Sequence, residues 1–236
     1  MAPKSVYEVR AVLANNQAAH VRSIGNYFTA GNVGNSGALF ETFGGRGDVG
    51  PDKDRFTYTD CFAPSFLSVD APPTAAFRLV EGNYATSTAE KLAGIPTQTH
   101  LNAEVWGEYG KTVDGLFQQL KELHGIGWVT ASKLIARKRP DLVPVLDNVV
   151  YHALKLPDYA RDAWKLIADY MNDTDIQESL SAIRAGAVAT YTPEKYPDAL
   201  NLAGIKTLSP IRVFDICVWN EHSGHLKGSH PDCFFK

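Results

Sequence analysis

The sequence predicts an all-α protein. Three observations carry that expectation. Apolar residues recur at three- and four-residue spacing through most of the chain, and no segment alternates apolar and polar residues long enough to make a convincing strand. Serine, threonine, aspartate, proline and glycine fall where such helices would start and stop. At 236 residues the chain can bury a real core, and 44% hydrophobic with 21% charged residues is ordinary for a globular protein. There is no internal repeat.

Several classes are excluded early. No run approaches the roughly eighteen apolar residues of a membrane span. Met1-Ala2-Pro3-Lys4 lacks the apolar core of a secretory signal. Cys61, Cys217 and Cys233 are odd in number and widely spaced, which points to a reducing cytoplasm rather than a disulfide framework. They also provide no four-thiolate set for an iron–sulfur cluster.

Taken in order, Val6–Phe28 places Val9, Val12, Leu13, Val21, Ile24 and Phe28 at helical spacing, with an interruption at Asn15-Asn16. Gly25–Gly50 is rich in glycine and asparagine around Ala38-Leu39-Phe40, and reads as a long irregular connection with room for a short helix. Its Arg46-Gly47-Asp48 tripeptide reads as coincidence. Thr57–Val69 is apolar nearly all round, as a buried helix would be. Asp70-Ala71-Pro72-Pro73 supplies a cap and first-turn prolines for Thr74–Val80. Thr86-Ser87-Thr88 opens another short helix, ended by Gly94 and Pro96, and Asn102–Tyr109 is short and aromatic.

The centre of the chain is more distinctive. Leu116, Phe117, Leu120 and Leu123 lead into a two-glycine turn, and Val129, Ala131, Leu134 and Ile135 resume the helical pattern after it. Arg137-Lys138-Arg139 closes this second helix with charges suited to its C-terminal end, and Pro140 stops it. Asp147 opens a third helix through Leu154. Asp158–Met171 and Asp175–Ala185 continue as helices, and Ser209-Pro210 starts a last one over Ile211–Trp219. Trp106 and Trp219 are read as core residues.

A glycine turn between two helices can hold an anion. Gly127, lacking a side chain, lets the backbone approach a phosphate, and Gly125 can adopt positive φ. The first N–H groups of the following helix would point at the anion. Ile126, Trp128 and Thr130 would complete that surface. Lys133, Arg137 and Lys138, with no acid among them, would add electrostatic grip. The net charge of −3 argues against a protein that coats nucleic acid, so any such contact is a patch. The plain alternative is a tight helix corner holding nothing.

Asp147 has two readings as well. It can simply cap its helix. The same N–H groups keep a carboxylate ionised, and a fixed anion beside C1′ of a sugar stabilises an oxocarbenium-like transition state. Tyr151 and His152 follow within about a turn and could line a base pocket. Cys217, His222, His225, His230 and Cys233 could in principle ligate zinc, although their spacing matches no common finger.

Leu123-His124-Gly125-Ile126-Gly127, followed by Thr130-Ala131, resembles the helix-hairpin-helix motif. Pro144-Val145-Leu146-Asp147 resembles the Pro-Val loop and aspartate of the helix-hairpin-helix DNA glycosylases, the endonuclease III and alkyladenine-type superfamily. TASKLIARKRP followed by PVLDNVV is similar to a bacterial branch of hairpin proteins. The resemblance is strong over Leu116–Leu154 and weak over Phe56–Val80, where Ser65-Phe66-Leu67-Ser68-Val69-Asp70 resembles a buried helix end that carries a glutamine.

The resemblance implies one two-lobed helical domain over residues 1–236 with a cleft between the lobes, and a helix-hairpin-helix element at 114–139. It implies Asp147 as the catalytic residue, duplex DNA as partner and a monomeric cytoplasmic protein. It also implies a sodium or potassium ion held by the backbone carbonyls of Lys121, Leu123 and Ile126, with no other cofactor required. Val129 stands where lysine-bearing members form a Schiff base, which removes that route to strand cleavage. Asp70 stands where the glutamine would fill a vacated base position, and Asn148-Val149 replaces a frequent Thr-His. The function so implied is a monofunctional DNA glycosylase that flips a damaged or modified base and hydrolyses its N-glycosidic bond. The alternatives are a hairpin DNA-binding protein that has lost the chemistry, and a protein-interaction domain.

Overall fold

The computed structural model describes residues 2–30 and 34–222, which are helical with irregular connections and contain no strand. Helix α1 (Val6–Asn15) starts on a capping box, in which the Ser5 hydroxyl accepts the Glu8 N–H and the Glu8 carboxylate accepts the Ser5 N–H. The break at Asn16 occurs where the asparagine pair predicts it, and α2 (Gln17–Thr29) follows.

The segment from Thr57 departs from expectation. Helix α3 (Tyr58–Phe62) is short, Pro64 then sits at the start of a 3₁₀ turn over Ala63–Leu67, and Ser68 ends it at φ 63°. Tyr58 and Phe62 are exposed, so the segment is not buried all round. Helices α4 (Pro73–Val80) and α5 (Ala85–Ala93) form where predicted, but Pro72 rather than Asp70 stands at the α4 N-cap and no side chain caps it. The aromatic stretch and the leucine-rich stretch after it are one helix, α6 (Ala103–Lys121), because Trp106, Val113, Leu116, Phe117 and Leu120 share one buried face.

Helix α7 (Trp128–Lys138) follows the glycine turn, and α8 (Asn148–Leu154) follows Asp147. Then come α9 (Ala160–Met171), α10 (Thr174–Thr190), a 3₁₀ turn over Leu202–Thr207 and α11 (Pro210–His222). Helices α2, α10 and α11 pack on one another, with α1 against α10 and α8 against α11. Helix α6 packs on α5, α7 and α9.

One apolar cluster runs through these helices. Trp164 is wholly buried in it, edge-on to Trp106 at 5.8 Å and to Phe117 at 5.1 Å. Its indole N–H donates to the Pro144 carbonyl at 3.3 Å, tying α9 to the loop that delivers Asp147. Trp106 is core as expected, whereas Trp219 is only partly buried, 6.0 Å from the Tyr27 ring. No described helix is long and apolar enough to cross a membrane.

Candidate functional site

The glycine turn is built from two anchors and two glycines. Leu123 and Ile126 bury their side chains, and the Ile126 N–H donates to the Leu123 carbonyl at 2.9 Å. Between them Gly125 takes φ +85°, and a Cβ there would stand 2.5 Å from Pro72 Cγ, so glycine is required twice over. Gly127 is exposed, in extended backbone, and opens α7 without a side-chain cap. A Cβ at Gly127 would meet nothing within 4 Å. The first N–H groups of α7 therefore lie behind open space rather than behind a side chain. Thr130 is buried in the first turn and Trp128 is half-buried.

The basic run overturns its expected role. Arg137 and Lys138 are 2% and 1% exposed, so neither can meet a phosphate backbone. Arg137 donates to the carbonyls of Phe40 and Phe43, each at 2.7 Å, to that of Gly45, and to Asp60 Oδ1 at 3.3 Å. Lys138 donates to the Asp52 carbonyl at 2.8 Å and to Asp60 Oδ2 at 3.0 Å. Arg139 is equally buried and reaches the Lys53 carbonyl at 2.8 Å, Ile95 at 2.7 Å and the Asp54 carboxylate at 2.6 Å. These three side chains hold residues 40–54, which have no ladder or helix to satisfy their carbonyls. Burial lowers the pKa of all three, and Asp60 or Asp54 opposes the shift.

Lys133 is also turned inward. It is 3% exposed and its ammonium donates to the Leu67 carbonyl at 2.7 Å, so it is not a surface phosphate contact. Burial lowers its pKa, and the nearby Asp147 charge counteracts that.

Asp147 caps α8, its Oδ1 accepting the Val150 N–H at 3.0 Å. It is not enclosed in the core. It is partly exposed on the wall of a cavity of about 450 Å³, within the size range of small-molecule sites. Val129 and Lys133 from α7, Tyr27 from α2, and Arg212 and Asp215 from α11 share that wall. Asp147 and α7 thus meet at one cavity.

The expected base-pocket residues lie elsewhere. Asp70 is exposed and lines neither this cavity nor the next. Tyr151 and His152 face a second cavity of about 600 Å³, together with Lys121 and Trp128. Helical phase would put Tyr151, four residues on, near the face of Asp147, but its ring packs on Trp128 and its side chain faces the second cavity, while Asn148 borders both. Trp128 packs edge-on to Tyr151 at 6.0 Å, and the Tyr151 hydroxyl donates to Asp158 at 2.7 Å. Among the described residues no group of three or more His, Cys, Asp or Glu could hold a metal ion. Cys217 is wholly buried, and His225, His230 and Cys233 lie outside the described residues.

One polar cluster at the cavity was not singled out from sequence. Arg212 is buried and bonds Glu41 and Asp215, and it donates to the Tyr27 hydroxyl at 3.0 Å. Its guanidinium lies 5.7 Å from the Tyr27 ring centre and 5.6 Å from that of Phe40. The two carboxylates hold Arg212 charged despite its burial, raising its pKa. Burial pushes Asp215 up to about 7, against the pull of Arg212 and with the push of Glu41 and Asp147. The signal was an i, i+3 Arg–Asp pair inside the apolar run Ile211–Trp219.

Fold and site together define an all-helical protein in which the helix after a glycine turn and a carboxylate-capped helix meet at a cavity. The chain belongs to a family described as "Family of unknown function (DUF6308)", whose model matches residues 20–222. Comparison with curated proteins and with solved structures gives no match.

Proposed function

We propose that this protein is a monofunctional DNA glycosylase-like hydrolase that opens the N-glycosidic bond of a damaged or modified base with Asp147. The observation that carries the reading is the position of Asp147: at the head of α8, partly exposed, on the wall of a cavity shared with the hairpin helix α7. A nucleotide held by its phosphate at the α7 N-terminus would present its sugar toward that carboxylate. Asp147 would stabilise positive charge developing at C1′ and direct a water molecule onto it. Val129 at the same wall offers no amine, so the sugar is released by hydrolysis without a Schiff base.

The reading also takes the helices to form two lobes, α3–α7 on one side and α1, α2, α10 and α11 on the other, with the cavity between them. The carbonyls of Lys121, Leu123 and Ile126 would hold a monovalent cation. Leu123 and Ile126 are fixed by burial, and the Leu123 carbonyl keeps a second lone pair beyond its bond to Ile126. Such an ion would add positive charge beside the phosphate.

With Arg137, Lys138 and Lys133 turned inward, the cationic side chain left at the turn is Lys121, exposed like its neighbour His124. Phosphate contact would then rest chiefly on backbone N–H groups, and the footprint would be small. The test is a set of duplexes carrying different modified bases, scored for abasic sites, with Asp147→Asn as control. Base release that survives Asp147→Asn refutes the catalytic role. Salt-sensitive duplex binding without base release from any duplex favours a DNA-binding protein that has lost the chemistry.

A further inference from the structure

The catalytic reading leaves one buried group at the same cavity unused. Asp215 has a side chain only 3% exposed. Its Oδ1 is bonded by Arg212, while its Oδ2 is buried with no hydrogen-bond partner. A buried carboxylate oxygen without a donor is costly unless it carries a proton that it can give to something. The charges around it point the same way. Glu41 and Asp147 both oppose its ionisation, and Arg212, the cation bonded to it, is shared with Glu41.

We propose that Asp215 is a second catalytic residue of this cavity, a neutral carboxylic acid that hands its proton to the departing nucleobase. The inference rests on the glycosidic reading above and narrows its substrate to bases that leave poorly without a proton, such as a neutral purine. As the C1′–N bond breaks, its electron pair goes to the base and the Asp215 proton joins the base. Water adds to C1′ and gives its proton to Asp147. The products are the free base and a sugar with a hydroxyl at C1′, and exchange with solvent returns Asp147 and Asp215 to their starting states.

The groups that act on Asp215 are Arg212 on its own helix, Glu41 and Asp147, and it acts in turn on Lys133 of α7, Tyr27 of α2 and Cys217 of α11. Burial, first, and the two carboxylates keep it protonated up to about 7. Release of a neutral base should accordingly decline as pH rises past that value.

The experiment compares two probe duplexes, one carrying hypoxanthine and one carrying 7-methylguanine, whose positive ring leaves without a proton. Single-turnover release is followed for the native protein, Asp215→Asn and Asp147→Asn, with melting curves confirming that each variant folds. Asp215→Asn is expected to slow hypoxanthine release about 100-fold, the scale of a lost general acid, and 7-methylguanine release by less than tenfold. The native protein should show a fall in hypoxanthine release above about pH 7 that is absent for 7-methylguanine. Equal losses on both duplexes, or no loss on hypoxanthine, overturn the role of Asp215 while leaving that of Asp147 standing. Should Asp215→Asn fail to fold, identical native pH profiles on the two duplexes overturn it instead. If the native protein releases neither of these bases but does release another from the wider set of duplexes, the role of Asp215 is overturned; if it releases none from the whole set, the glycosidic reading falls and this inference with it.

Discussion

Replacing Arg137 by methionine should destabilise the protein and leave duplex affinity almost untouched, the reverse of what a surface arginine at a DNA-binding hairpin would do. The side chain is 2% exposed and makes four hydrogen bonds, three to the backbone of residues 40–45 and one to Asp60. Methionine fills much of the same volume but leaves those carbonyls without donors, and Asp60 keeps only Lys138 as a charged partner. Breaking a buried ionic arrangement from one side costs about 3–5 kcal/mol. For a chain of this size that corresponds to a melting temperature lower by about 10 °C. Thermal unfolding followed by circular dichroism measures the loss. Trypsin should also cut earlier at Arg46, Lys53 and Arg55, because the segment they occupy loses its clamp. Duplex affinity of the folded variant should stay within about twofold of native. A melting temperature within about 2 °C of native, together with a tenfold loss of duplex affinity, would show that Arg137 reaches phosphate and that this account of the basic run is wrong.

Other perturbations separate structure from function in the same way. Asparagine caps helices about as well as aspartate, so Asp147→Asn should melt within about 0.5 kcal/mol of native yet lose base release, whereas Asp147→Ala should cost about 1 kcal/mol as well. Gly125→Ala should cost about 1–3 kcal/mol from its positive φ, with the Pro72 contact adding to it. Gly127→Ala meets open space and should stay within about 1 kcal/mol, but its methyl group would stand over the α7 N-terminus and weaken duplex binding. Because few cations face outward at the turn, the logarithm of duplex affinity should fall with the logarithm of salt at a slope of about −2 to −3, as read in titrations. Burial lowers the pKa of His20 to about 4, so its native state binds fewer protons than the unfolded chain between about 4 and 6.5. Stability is therefore lost as pH falls through that window, and melting curves of His20→Gln should show a shallower loss.

What was legible in the sequence is what local rules decide. The break at Asn16, the proline-led start of α4, the glycine turn and the aspartate cap of α8 each depend on a few neighbouring residues, and each is where the pattern puts it. The fate of Tyr58–Leu67 was less legible, because an apolar segment reads as a helix until Pro64 and the exposure of Tyr58 and Phe62 are weighed together. The separation of Asp147 from Tyr151 was not legible, because helical phase puts residues four apart on one face and only the packing of Tyr151 on Trp128 draws it to the other cavity. Asp215 was hidden because its role depends on Glu41 and Tyr27, which lie more than 170 residues away in the chain.

The basic run was misread for a reason that applies beyond this chain. Three consecutive cations at a helix end look like a solvated face, and the helix dipole alone would justify them. The counter-signal was elsewhere, in the irregular glycine-rich stretch before Thr57. A segment of that length with no regular structure carries backbone carbonyls that must find donors if the segment is packed rather than solvated. Arginine and lysine are the side chains with donors to spare and no acceptors to satisfy. A packed irregular segment and an acid-free basic run in one chain therefore predict each other. Here Asp60 completes the exchange, joining Arg137 and Lys138 to the capping box of α3 through Thr57. The same cations cannot also serve a phosphate backbone. Any affinity of this protein for nucleic acid must come from the glycine turn itself and from whatever the cavity at Asp147 accepts.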